Sequence, residues 1–422
     1  MHRATLIIAT LIVVMFVAPL GACAKKIVPC TNKPLREQLK TTGVDYVIRF
    51  SFDLNRDTLV IPEGCQLTFD GGTIKNGILQ GDHSTIKASR QQLFSNITIS
   101  GTWDNKIVYG DWLDFDTSGK NDNIHNFRSL MALCTGTVQT QLYLSVGVYC
   151  VSQVNNSAPI IIPSNVYWHN SATIQLLPSD YTHYAIVSIK QVNNVVIDGG
   201  VFIGDLKTHT GTKGEWGHGI KVEGSSNVTI KNLQTIECWG DGIDLVEGEY
   251  VSRLKVGVGN CNRVIIDNVK SLYNRRQGLS IEAAENVVVK NSEFAYTGRI
   301  KQTAPSAGID IEAWCKNEKK IYNIQIKNCI CHDNNGPDID CIPNLILKYD
   351  NVSPQNHIRF SKCTMGTLAL KSSNGVEFRD CVIDQISYIE SVENTSFRKC
   401  AFGNMQSTKK FIGVKFKNCS NK

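Results

Sequence analysis

Little in this sequence is concentrated. Its 44 basic and 38 acidic residues leave a formal net charge of +6 and are spread along the chain. No basic tail or stripe therefore proposes a nucleic-acid partner, and what remains is a mild preference for an anionic glycan. Beyond the first twenty residues no apolar run approaches the ~20 positions that a membrane-spanning helix needs. The 15 cysteines mostly lack the spacing of a disulfide framework.

What is present begins at the N-terminus. Met1-His2-Arg3 is followed by an apolar run from Ala4 to Leu20 and then Leu20-Gly21-Ala22-Cys23, the layout of a cleavable export signal. The small residues before Cys23 resemble a bacterial lipobox, which implies lipidation of Cys23. The expected organisation is an export signal over 1–22, a linker over 23–44 and one domain over 45–419. The mature chain is then expected at the cell envelope, touching a membrane only through a lipid, or secreted. Its oligomeric state stays open.

The productive signal is a repeat. Nine copies of one short strand start at Asn194, Asn227, Arg263, Asn286, Asn323, His357, Gly375, Asn394 and Gly413, with successive offsets of 33, 36, 23, 37, 34, 18, 19 and 19 residues. The close copies give a basic rung, and the wider ones are rungs with loops inserted. Apolar and polar residues alternate within each copy, as in a strand with one buried face. One such strand buries too little to be stable alone, whereas stacking copies in parallel builds a continuous apolar column. Asn232, Asn268, Asn291, Asn328 and Asn418 follow the strands where the chain must turn, a position Asn tolerates. Cys329, Cys363, Cys381, Cys400 and Cys419 recur at one point of the repeat, which predicts a column of small buried thiols. Cys30 with Cys65, or Cys134 with Cys150, are the better bridge candidates.

A second strand series starts at Gly219, Gly242, Gly278, Gly308 and Asp338. Two strands per turn predict an all-β, right-handed parallel β-helix, with tighter early rungs upstream and a short helix over 124–134. The segment Asp116-Thr-Ser-Gly-Lys-Asn-Asp-Asn, the helix, and Leu142-Tyr-Leu-Ser-Val-Gly-Val-Tyr resemble the entry segment of the pectin-lyase-like β-helix superfamily. That superfamily holds hydrolases, lyases, epimerases and binding proteins, so the resemblance implies a fold and not a reaction.

Alternation predicts which side chains share a patch. If Ile220, Ile243, Leu279 and Ile309 point inward, then Lys221, Asp244, Ser280, Asp310 and Asp340 form one outward column, and Glu223, Val246, Glu282 and Glu312 another. His218, Asp241, Arg275, Arg276 and Gln277 lie just before the glycines. Like charges one rung apart repel, so stacked carboxylates imply spacing, a bound cation or a protonated acid.

Trp239-Gly-Asp-Gly-Ile-Asp and Gly217-His-Gly-Ile resemble rungs of polygalacturonase-type glycoside hydrolases, which places Asp241, Asp244 and His218 at functional positions. The motif order is reversed relative to that family, and Arg275-Arg-Gln-Gly-Leu-Ser stands where its paired-Asp rung belongs. The mechanism does not transfer whole.

Three readings stay open. In a glycoside hydrolase, Asp244 donates a proton while Asp310 or Glu282 activates water, and Asp241 and His218 complete the catalytic set. In a polysaccharide lyase or uronate epimerase, Arg276 or His218 abstracts a proton and the acids hold calcium. In a glycan-binding protein the acids only keep the sheet soluble. The hydrolase reading itself needs no cofactor or metal. In each, the partner is a polysaccharide or oligosaccharide, with Arg275, Arg276, Glu312, Trp216, Trp239 and Trp314 as substrate-binding candidates.

Overall fold

The computed structural model describes residues 25–153, 157–248, 250–251, 256–257, 259–313, 321–344, 355–404 and 413–422. The expected export signal, Cys23 and Trp314 lie outside these residues. No helix among the described residues is long and apolar enough to cross a membrane.

The nine predicted strand copies do stack. With three upstream strands they form a twelve-stranded, all-parallel sheet running from Ile107–Tyr109 to Val414–Lys417. Val195, Val228, Val264, Val287 and Ile324 are paired in register and fully buried. Near the C-terminal end the inward file changes from Ile to Phe. Phe360, Phe378, Phe397 and Phe416 lie face to face at 4.7, 4.6 and 5.1 Å between ring centres.

The second series forms its own parallel file: Trp216–Glu223, Ile243–Val246, Gln277–Ile281, Ala307–Glu312 and Ile339–Ile342. A Cβ on Gly219 would sit 2.6 Å from the Gly242 carbonyl, and one on Gly308 would sit 2.6 Å from that of Asp338. Successive backbones meet there too closely for any side chain, which is why glycine opens these strands.

A turn holds three strands rather than the expected two. The missed file consists of three-residue strands, including Gln234–Ile236, Lys270–Leu272, Glu293–Ala295 and Ile330–His332. Such strands are too short to display a period in sequence. The corners are left-handed: Asn232, Asn268, Asn291, Asn328 and Asn418 have φ between 53 and 56°. Asn268 donates to Asn232 at 2.9 Å, and Asn328 to Asn291 at 2.9 Å, so their amides also ladder along the stack.

Upstream, Gln66–Phe69, Thr73–Lys87 and Phe94–Trp103 form the early parallel rungs, and the helix Ile124–Ala132 packs Phe127, Leu130 and Met131 into the core. The segment 23–44 is not a simple linker where it is described. Lys26–Ile27 pairs with the strand Asp45–Ile48, and Leu35 and Leu39 are buried against the first rungs.

All 13 described cysteines are free thiols, including the four bridge candidates. Cys65 donates instead to the Thr41 carbonyl and Cys150 to that of Gly119. The repeat cysteines Cys329, Cys363, Cys381 and Cys400 are buried as expected, whereas Cys419, on the last rung, is only half-buried.

Candidate functional site

Strand register assembles the predicted columns. Lys221 pairs with Asp244, Asp244 with Ser280, Ser280 with Asp310 and Asp310 with Asp340. The expectation of an exposed patch needs correction, however. Asp241, Asp244, Asp310, Gln277 and His218 point away from the solenoid core and yet are all nearly inaccessible, at 0–3 % exposed.

Burial makes these charges interact strongly. Arg276 reaches Asp241 at 3.0 Å, with Glu282 3.7 Å away. His218 lies between two carboxylates, its Nδ1 3.2 Å from Asp241 and its Nε2 3.7 Å from Asp244. Gln277 donates to Asp310 and accepts from Arg276 at 3.0 Å. One polar chain therefore runs from Asp310 through Gln277 and Arg276 to Asp241 and His218. Single oxygens of Asp241, Asp244 and Asp310 are buried without a hydrogen-bond partner.

The carboxyls respond to this setting. Burial raises Asp244 above its ordinary range, although His218 and Lys221 pull it back. Glu282 is pushed up to about 8, first by burial and then by the charge of Asp244. Asp310 is raised by burial and by Asp340 and Glu312, and Glu312 is raised by burial. Burial works against the Arg276 cation, but the surrounding acids outweigh it and push its pKa up.

Above this floor lies a groove of about 640 Å³ whose lining includes Trp216, His218, Lys221, Asp244, Arg276 and Glu282. Trp216 stacks on His183 at 4.2 Å and 20°, presenting an exposed aromatic face. Gly217 makes room beside it for Tyr184, whose ring a Cβ would meet at 2.5 Å. Tyr184 donates to buried Asp205, which also takes hydrogen bonds from Ser179 and contacts His209 at 2.8 Å.

The structure separates the other candidates from the groove. Trp239 is buried between the His209 ring, 3.7 Å away, and the Arg275 guanidinium, 3.8 Å away. Arg275 also donates to the Gly214 carbonyl at 2.8 Å. Both are bracing residues, with their faces already occupied. Asp241, Asp310 and Glu312 stand beside or beneath the groove and do not line it.

His183, Lys190 and Tyr184 line it and were missed. Carrying the strand alignment one rung upstream finds them, because His183 pairs with Trp216 and Lys190 with Glu223. Among the described residues no group of three or more His, Cys, Asp or Glu is placed to hold a metal ion.

No family model matches the chain. It is similar to two uncharacterized proteins of Bacillus subtilis (strain 168). YclG is 24% identical over 229 residues, 50% of this chain and 39% of that protein. The SPbeta prophage-derived YorA is 31% identical over 182 residues, 40% of this chain and 31% of that protein. The chain thus matches well under half the length of either relative. Among solved structures it resembles the A-module of the Azotobacter vinelandii mannuronan C-5 epimerase AlgE4, with a TM-score of 0.51 and 12% identity over 74% of this chain and 96% of that module. At that identity the likeness establishes the parallel β-helix fold, and the fold alone.

Proposed function

We propose that this chain is carbohydrate-active and hydrolyses a polysaccharide in the groove, with Glu282 as general acid and Asp244 as its partner carboxyl. One observation carries the reading. Asp244 and Glu282 lie on adjacent rungs, both line the groove, and both are held above the usual carboxylate range, Glu282 partly by the charge of Asp244. Two such groups favour sharing one proton, which leaves an acid and a base side by side at neutral pH.

Glu282 protonates the glycosidic oxygen as the C–O bond breaks, and Asp244 takes a proton from the water that attacks the anomeric carbon. Their diagonal placement, one rung and two residues apart, sets the backbones roughly 8 Å apart and favours a water between the carboxyls. Trp216 offers the stacking face that a sugar ring fits. Arg276 holds Asp241 and balances the charge beneath. The shared fold with a mannuronan epimerase supports carbohydrate as the substrate class.

A second reading, lyase or epimerase, is favoured by His218 facing Asp244 and by Lys190, Lys221 and Arg276 around the groove. These cations suit a uronate carboxylate, and His218 is the base.

Incubating the chain with a panel of polysaccharides separates them. Hydrolysis produces new reducing ends without ultraviolet absorbance, and both Asp244→Asn and Glu282→Gln lower it by about a hundredfold or more. An unsaturated, ultraviolet-absorbing product establishes the lyase. Glycan binding that survives Asp244→Asn, with no product at all, leaves a binding protein. Export and lipidation at Cys23 belong to the same proposal, and labelled fatty acid incorporated into wild type but not Cys23→Ala tests them.

A further inference from the structure

The outer face of the twelve-stranded sheet carries a charge pattern that the sequence hides. At the last outward position of each strand the register runs Asp198, Lys231, Asp267, Lys290, Lys327, Ser361, Arg379, Arg398, Lys417. Up to Lys290 the signs alternate, and Lys231 and Lys290 each pair with the preceding aspartate at 3.1 Å. Alternation is how a stacked column neutralises itself.

Beyond Lys290 that compensation becomes incomplete. The outward and corner positions of the five rungs from Lys327 to Lys417 hold eight exposed cations, adding Arg359, Lys362, Lys399 and Lys415 to the column, against two carboxylates, Glu377 and Asp380. That surplus of six equals the formal charge of the whole chain, +6, so the remainder is neutral in sum. Glu377 is shared between Arg359 at 3.0 Å and Arg398 at 3.7 Å, and Asp380 lies 3.4 Å from Arg379, so two carboxylates serve three of the eight cations and a surplus of positive charge remains.

A groove of about 420 Å³ crosses the same rungs. Arg359 and Arg398 line it beside the hydrogen-bonding groups of Asn323, Gln325, Asn394 and Ser396. Tyr322, 41% exposed, stands at its edge against His357.

We propose that this face is a second binding surface, separate from the cleavage groove, for a linear anionic polysaccharide. Cations repeating every ~4.8 Å along a straight face match a polymer with about one acidic sugar per rung, and the polar groove suits its hydroxyls. The charge complementarity is independent of the chemistry in the other groove, which lies on a different strand file.

The test is binding of the full chain to polygalacturonate, followed by affinity electrophoresis, with neutral dextran and duplex DNA as comparison probes. Arg379→Gln, Arg398→Gln and Lys417→Gln combined should weaken polygalacturonate binding by about tenfold or more, and added salt should weaken the wild type likewise. Lys231→Gln with Lys290→Gln, in the alternating stretch, should change little. If the triple variant misfolds by circular dichroism, Arg379→Gln and Lys417→Gln singly should each give a smaller loss. Unchanged binding by folded variants, equal retention by dextran, or stronger retention by DNA overturns the proposal. Glu282→Gln, which tests cleavage, should leave this binding intact, so the two ideas fail separately.

Discussion

Glu282 and the tryptophans are where single side chains decide the outcome. Glu282 keeps its proton in the folded chain up to about pH 8 but loses it near 4.5 when unfolded. Between those values the unfolded state binds fewer protons, so stability falls as pH rises through the window and levels off above it. Thermal melts of the wild type at pH 5, 6.5 and 8 should show this decline, and Glu282→Gln should make it shallower, the remaining slope coming from the other raised carboxyls, Asp244, Asp310 and Glu312. An equal slope in both would mean that Glu282 ionises freely. The two tryptophans should behave oppositely. Trp239→Ala empties a packed stack and should cost about 3–5 kcal/mol in denaturant unfolding. Trp216→Ala removes an exposed face and should leave stability within about 0.5 kcal/mol while raising KM. A KM effect from Trp239→Ala alone would invert this assignment.

Strands and corners show what the sequence could reveal and what it could not. The file Lys221, Asp244, Ser280, Asp310, Asp340 was legible because alternation in a strand fixes facing, and the repeat fixes register. Burial of those same acids was not legible, because what covers an outward face lies in other segments. Trp239 looked like a sugar platform from its neighbours in sequence, but His209 and Arg275, distant in the chain, occupy both of its faces. The cationic stripe is hidden in the sequence because its equivalent positions on successive rungs stand 18 or more residues apart and meet only through stacking. Corner asparagines were readable, and Asn291 offers a measurable case. It has φ of 53°, donates to Asp267 at 2.8 Å and accepts from Asn328. Asn291→Ala should cost about 1–3 kcal/mol in chemical unfolding, from left-handed strain plus lost hydrogen bonds. Asn291→Gly should retain the backbone freedom and lose less. Equal losses would place the whole effect in the ladder of amides.

Across the whole molecule, the solenoid lets distant regions be changed independently, since each rung contacts mainly its neighbours. The groove beside Trp216 draws its lining from residues between 157 and 282, whereas the Phe stack and the cationic face belong to rungs beyond 320. Phe378 is fully buried, with Phe360 and Phe397 stacked on its two faces. Phe378→Ala should therefore remove about 3–5 kcal/mol locally. In hydrogen exchange, amides in the strands from Ile358–Ser361 to Val414–Lys417 should lose protection first. Those of Trp216–Glu223 and Gln277–Ile281 should keep theirs, and product formation in the groove should persist. Polyanion binding should weaken in parallel with the lost protection, because the stripe depends on those rungs staying in register. Uniform loss of protection along the chain would show instead that the rungs unfold as one cooperative block, and would deny the two faces their independence.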